Sequence, residues 1–221
     1  MQVPVELSER VCYLPATLEP LSADVFAVRG RESWWIFDVG RSDEAVAFIN
    51  GLPLGGDFPK KKNIVISHFH WDHTENLMRA VRGEVRLPFD TLYVGNYTQR
   101  RLKMGEAVRA PLEFDDLVHI RIFPIPNSHA KGALAMTVDS AFAFLGDSTY
   151  AEVGKDSEPD SYNVQFLQEE IRVLKSLDTP CFCLSHRRRP VAEKDSVIAH
   201  LEGIYSRREK GENIIPVPFK M

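Results

Sequence analysis

The segment Ser67-His68-Phe69-His70-Trp71-Asp72-His73 places three imidazoles and a carboxylate close together in the chain. Neutral imidazole and carboxylate are natural ligands for zinc, iron and manganese, and packing alone does not account for such a cluster. The apolar run Ile64–Ile66 just before it reads as a buried strand. A loop at a strand's end can aim alternate residues inward, so His68 and His70 can reach one ion. Asp72 and His73, entering the next helix, can reach another, and the helix N-terminus favours a carboxylate at Asp72.

Four further residues are placed in the same way, each after an apolar run. Asp38 follows Trp34–Phe37, just before Gly40. His129 follows Ile120–Ile125, Asp147 follows Ala141–Leu145 within Gly146-Asp147-Ser148, and His186 follows Cys181–Leu184. Gly-Asp-Ser is a common turn and a lone Ser-His carries no signal. The repetition does, because neighbouring strands can then bring these side chains together on one rim.

Smaller features allow two readings. Arg187-Arg188-Arg189 follows His186, so one guanidinium either clamps a substrate phosphate or carboxylate or belongs to a solvated loop. Lys131 and the run Lys60-Lys61-Lys62 read as solvated. Trp71 either covers a pocket or packs under the ligand loop. Trp34 and Trp35 are adjacent on a strand and face opposite sides, with core packing expected of one. His119 and His200 match no motif, and Cys183 is expected to be buried.

The elements that position these groups alternate short apolar strands with amphipathic helices, the pattern of an α/β sandwich. Early strands read at Val11–Leu14, Val25–Val28 and Ser33–Phe37. A helix capped by Ser42 follows and is stopped by Gly51. Further strands read at Leu92–Val94, Ile120–Ile125, Ala133–Val138, Ala141–Leu145 and Cys181–Leu184, with a last one over 214–217. Helices are expected from about Ser161 to Leu177 and from about Ala192 to Arg208. The order suggests two similar halves, each a sheet with helices on its outer face.

The whole chain is ordinary for a globular protein. It has 221 residues, 44% hydrophobic and 26% charged, and reads as a single domain over 1–221. Its formal charge of −4 gives no field to recruit nucleic acid or an anionic membrane. No apolar run approaches a membrane span. The first residues lack the basic start and apolar stretch of a secretory signal, so a cytoplasmic location is expected. Cys12, Cys181 and Cys183 form no disulfide framework.

The motif His-x-His-x-Asp-His, present as His68, His70, Asp72 and His73, resembles that of the metallo-β-lactamase superfamily. Asp38-Val39-Gly40, His129, Asp147 and His186 match that family's other motifs in order, so the resemblance runs from Trp34 to His186. It implies a four-layer αββα sandwich and two divalent metal ions, zinc first, with iron or manganese as alternatives. His68, His70 and His129 would hold one ion and Asp72, His73 and His186 the other. Asp147 would bridge both, and Asp38 would orient a ligand imidazole. A bridging hydroxide would attack, with Asp72 as the catalytic residue that accepts its proton. After His73 the chain reads Thr74-Glu75-Asn76 where the family often has Gly-Gly, and the loop after His129 reads Ala130-Lys131-Gly132. These departures keep the ligands and alter the pocket wall.

Within the family, β-lactam hydrolases usually lack the bridging Asp, nucleases carry large inserts, and flavin-linked oxygen reductases carry a flavin domain. Glyoxalase II shares the ligand set but adds a helical glutathione-binding region. The expectation is therefore a dinuclear hydrolase of a small-molecule ester-type substrate: a thioester, lactone or phosphoester, anionic if the arginines clamp it. The alternatives are a mononuclear iron persulfide dioxygenase and a non-catalytic binder.

Overall fold

A computed structural model describes residues 2–154 and 158–217. The first half runs β1 (Val5–Glu6), β2 (Val11–Leu14), a small hairpin of β3 (Thr17–Leu18) and β4 (Leu21–Ser22), β5 (Val25–Arg29), β6 (Ser33–Phe37), α1 (Asp43–Gly51), β7 (Lys61–Val65), α2 (Trp71–Val81), β8 (Thr91–Gly95), α3 (Asn96–Leu102) and β9 (Glu106–Val108). The second half runs β10 (Leu112–Asp115), β11 (His119–Ile125), β12 (Ala133–Val138), β13 (Phe142–Gly146), β14 (Ser161–Asn163), α4 (Val164–Ser176), β15 (Cys181–Leu184), β16 (Val191–Glu193), α5 (Lys194–Tyr205) and β17 (Ile214–Pro216).

Among the described residues two large sheets result, ordered β1-β2-β5-β6-β7-β8-β9 and β10-β11-β12-β13-β15-β16, beside the two-stranded pairs β3-β4 and β14-β17. Successive side chains of a strand point to opposite faces, and here both faces are apolar. On β6, Trp35 and Phe37 point between the sheets to meet Phe26, Phe144, Ile120 and Leu134. Trp34 and Ile36 point outward to Ile49, Ile64 and Leu77, under α1 and α2. On the other outer face, Leu167, Ile171 and Leu174 of α4 and Val197 and Leu201 of α5 cover Ala143, Leu145, Phe182 and Leu184. The layers are therefore α, β, β, α. Burying strands on both faces is what makes the chain read as apolar runs rather than alternation.

Several details differ from expectation. Trp34 and Trp35 are both core residues, because each face of β6 is covered. Lys62 is buried as the second residue of β7, with its ammonium donating to the Ile49 carbonyl at 2.5 Å. Burial pulls its pKa down. The strand thus starts at Lys61, and only the first lysines of the run are exposed. Helix α4 starts at Val164, not Ser161, because Ser161–Asn163 pairs antiparallel with Ile214–Pro216. The Asn163 side chain then caps it by accepting from the Gln165 and Phe166 amides.

Candidate metal centre

Strands β6, β7, β11, β13 and β15 deliver their C-terminal ends to one edge of the sandwich, and the loops that follow carry the polar residues. Two positions there take left-handed backbone although each bears a Cβ: Asp38 at φ 62° and His186 at φ 61°. Such conformations persist where surrounding contacts over-determine them, commonly at functional sites. Gly146 also turns at positive φ. A Cβ on it would lie 2.7 Å from Ser67, so its lack of a side chain lets the two sheets' loops meet.

The side chains converge in two groups. His68, His70 and His129 form one, and Asp72, His73, Asp147 and His186 the other; within each, the candidate ligand atoms lie within 4.8 Å of one another. His70 Nδ1 faces His68 Nε2 at 2.9 Å and His129 Nε2 at 3.0 Å. His186 Nε2 approaches Asp72 Oδ2 at 2.9 Å. Asp147 Oδ2 stands between the groups, 3.3 Å from His73 Nε2, 3.4 Å from His129 Nε2 and 3.6 Å from His186 Nε2. Every ligand position read from the sequence is brought together here.

Hydrogen bonding on the far side of the rings fixes which nitrogen looks inward. The Ser67 hydroxyl donates to Asp38 Oδ2 at 2.7 Å, so it accepts from His68 Nδ1 at 3.0 Å. His73 Nδ1 donates to Asp38 at 2.8 Å, and His129 Nδ1 to the Ala151 carbonyl at 3.0 Å. Each ring thus spends its Nδ1 proton outward and, when neutral, aims a bare Nε2 lone pair into the centre. The bare Nε2 of His129 then faces the Asp147 carboxylate at 3.4 Å with no proton between them, an arrangement that suits a cation. The donor set fits a divalent metal, and Asp147 Oδ1, buried without a partner among the described residues, is a further oxygen for it.

The local charges follow from the same neighbours. Burial and the neighbouring imidazoles hold His68 well below its usual pKa, and burial with His129 lowers His70 to about 4, so both stay neutral donors. Burial alone would raise Asp72, yet the hydrogen bond from His186 and the charge of His73 hold it at about 2. Burial likewise opposes the charged forms of His73 and His186, and the adjoining carboxylates overcome it and raise both.

The rim separates the smaller features. Arg187 is half-buried, with Nε 3.4 Å from the Tyr150 hydroxyl, whereas Arg188, Arg189 and Lys131 are exposed. Trp71 does not pack beneath the ligand loop; it is 47% exposed with the Arg41 guanidinium 4.2 Å over its ring. His119 pairs with Asp115, His200 is exposed, and Cys183 is buried. Two residues of the site had no role in the sequence reading. Ser67 adjoined the motif and was legible in principle as a polar residue at a strand's end. Asp24, whose carboxylate accepts the His186 amide at 3.0 Å, gave no sequence signal.

No family model matches the chain, and no curated protein matches it in sequence. Solved structures match in shape. A metallo-β-lactamase from Pontibacter korlensis aligns at TM-score 0.68 and 13% identity, over 94% of this chain and 100% of its own. An archaeal metallo-β-lactamase superfamily protein from Sulfolobus tokodaii aligns at 0.58 and 18%, over 93% and 90%. A flavo di-iron protein variant from Thermotoga maritima aligns at 0.66 and 12% over 96% of this chain, which spans 63% of that longer one. With that shape, those layers and that edge of convergent ligands, the chain has the metallo-β-lactamase fold.

Proposed function

We propose that the protein is a metal-dependent hydrolase of a small-molecule ester-type substrate: a thioester, lactone or phosphoester. The observation that carries this reading is Asp147 Oδ2, placed between two ligand groups and near an imidazole of each. That arrangement supports two ions, held by His68, His70 and His129 and by Asp72, His73 and His186, with Asp147 shared; zinc fits the set, as do iron and manganese. When bound, such ions supply Lewis acidity and bring the pKa of water from 15.7 towards about 7.

The chain's own groups do the rest. Asp38 and the Ala151 carbonyl keep His73 and His129 in the tautomer that presents Nε2. Asp72, ionised and only 7% exposed, is the base that takes the proton of an attacking water. Arg187, braced on Tyr150, is the rim cation that would meet a substrate carboxylate or phosphate; Arg188 and Arg189 face solvent. Among the described residues no helix is long and apolar enough to cross a membrane, and the negative net charge argues against nucleic acid as substrate. A cytoplasmic location completes the reading.

Mass spectrometry of the untagged protein for metal identity and stoichiometry is the test, followed by assays on thioesters, lactones and phosphoesters. Two zinc or manganese ions per chain with turnover of one class supports the hydrolase. One iron per chain, with oxygen consumed on glutathione persulfide, would replace it by the dioxygenase. His70→Ala should leave a folded protein that has lost activity and at least one ion; full activity in that variant would sink the assignment.

A further inference from the structure

Four imidazoles face the centre through Nε2, and three are anchored at the far nitrogen by Ser67, Asp38 or the Ala151 carbonyl. His186 is the exception. Its Nδ1 is buried and has no partner among the described residues. Its backbone is also left-handed, which a residue with a Cβ does not adopt unassisted. Apart from the contact of its Nε2 with Asp72, the hold on this residue comes through its main chain.

Asp24 is that constraint. It lies just before β5, 162 residues from His186 in sequence, and is 1% exposed. Its Oδ2 accepts the His186 amide at 3.0 Å, and its Oδ1 accepts the Ala16 amide at 3.1 Å, which fixes the carboxylate from the other side. The adjacent Ala23 amide donates to the Asp72 carbonyl at 3.0 Å. The two-residue segment Ala23–Asp24 therefore grips the backbones of Asp72 and His186, whose side chains meet at 2.9 Å. Tyr150 adds a further hold, its hydroxyl donating to the Ser185 carbonyl at 2.5 Å.

We infer that Asp24 is a positioning residue for one half of the centre: by clamping the His186 turn through the main chain, it sets the affinity of the ion held by Asp72, His73 and His186, and not that of the ion held by His68, His70 and His129. The inference rests on the two-ion reading above. It differs from the role of Asp38, which acts on a ring nitrogen.

The experiment titrates ion-free protein with zinc against a chromophoric chelator, with circular dichroism as a check on folding. The wild type should take up two ions. Asp24→Ala should weaken one of them about 10- to 100-fold, the range for groups that orient metal ligands, and leave the other unchanged. In a His186→Ala background, where that ion is already weakened, adding Asp24→Ala should change nothing further, because both act through one residue. Asp24→Asn keeps the volume and one acceptor oxygen; it should shift the same ion in the same direction, and it decides the matter if Asp24→Ala fails to fold. Wild-type binding of both ions in a folded variant, equal weakening of both, or an undiminished effect in the His186→Ala background would overturn the inference. A wild type that takes up no zinc would instead overturn the metal reading on which it rests.

Discussion

At the scale of single residues, the centre consists of groups whose charge is decided by their neighbours, and one buried carboxyl nearby shows the opposite outcome. Glu170 of α4 is fully buried, and burial pushes its pKa well above the ordinary 4.5, opposed only by the Ser148 hydroxyl. A carboxyl that binds its proton more tightly when folded stabilises the native state below its unfolded pKa. That contribution is lost as pH climbs from about 4.5 towards the raised folded value. Glu170→Gln keeps the shape without a titrating proton. Urea unfolding of the variant should therefore lose less stability than the wild type as pH rises above about 4.5. Parallel pH dependences would show that Glu170 does not titrate as argued. At this scale legibility divides by type of contact. His68, His70, Asp72 and His73 were readable because they sit together in the chain. The grip of Asp24 on His186 joins a side chain to a distant backbone amide, and such a contact leaves no pattern in residue types.

Among the elements, the principal strands were readable because they are buried on both faces, and the helices because one face repeats. The edges were not. Lys62 fits a solvated turn by composition, yet its stem and ammonium are drawn into β7 by a carbonyl of α1. Helix α4 starts later than its apolar pattern predicts because β14 pairs with β17, about fifty residues downstream, and no local propensity reports that. The β13 turn makes a sharper claim. Gly146 sits at φ 56° against Ser67, so Gly146→Ala adds a strained backbone and a close contact at the meeting of the two sheets' loops. The expected cost is about 1–3 kcal/mol in chemical denaturation, together with weaker metal uptake, since Asp147 follows directly. A variant with wild-type stability would mean that the loops can part without penalty.

For the molecule as a whole, the candidate ligands divide between the halves: His68, His70, Asp72 and His73 come from the first, and His129, Asp147 and His186 from the second. Bound ions would therefore stabilise the folded state by mass action, by about 4 kcal/mol when free metal exceeds the dissociation constant a thousandfold. Stripping them with a chelator should lower the melting temperature by on the order of 10 °C for a chain of this size, and added zinc should restore it. An unchanged melt would argue that neither group holds an ion. The layered sandwich was legible from the order of apolar runs, whereas the contact of Asp24 with His186 exists only when both halves are assembled.

The division of ligands also orders events in time. As the chain emerges during synthesis, His68, His70, Asp72 and His73 appear together and offer an incomplete, open nest of donors. The nest closes only after His186 has emerged and turned back onto Asp24. If the groups hold ions, one that arrived earlier would meet only part of its donors until the second sheet docks. On the metal reading, a chain that paired its sheets wrongly would bring neither candidate group together in full, so tight ion binding would report that the sandwich is complete.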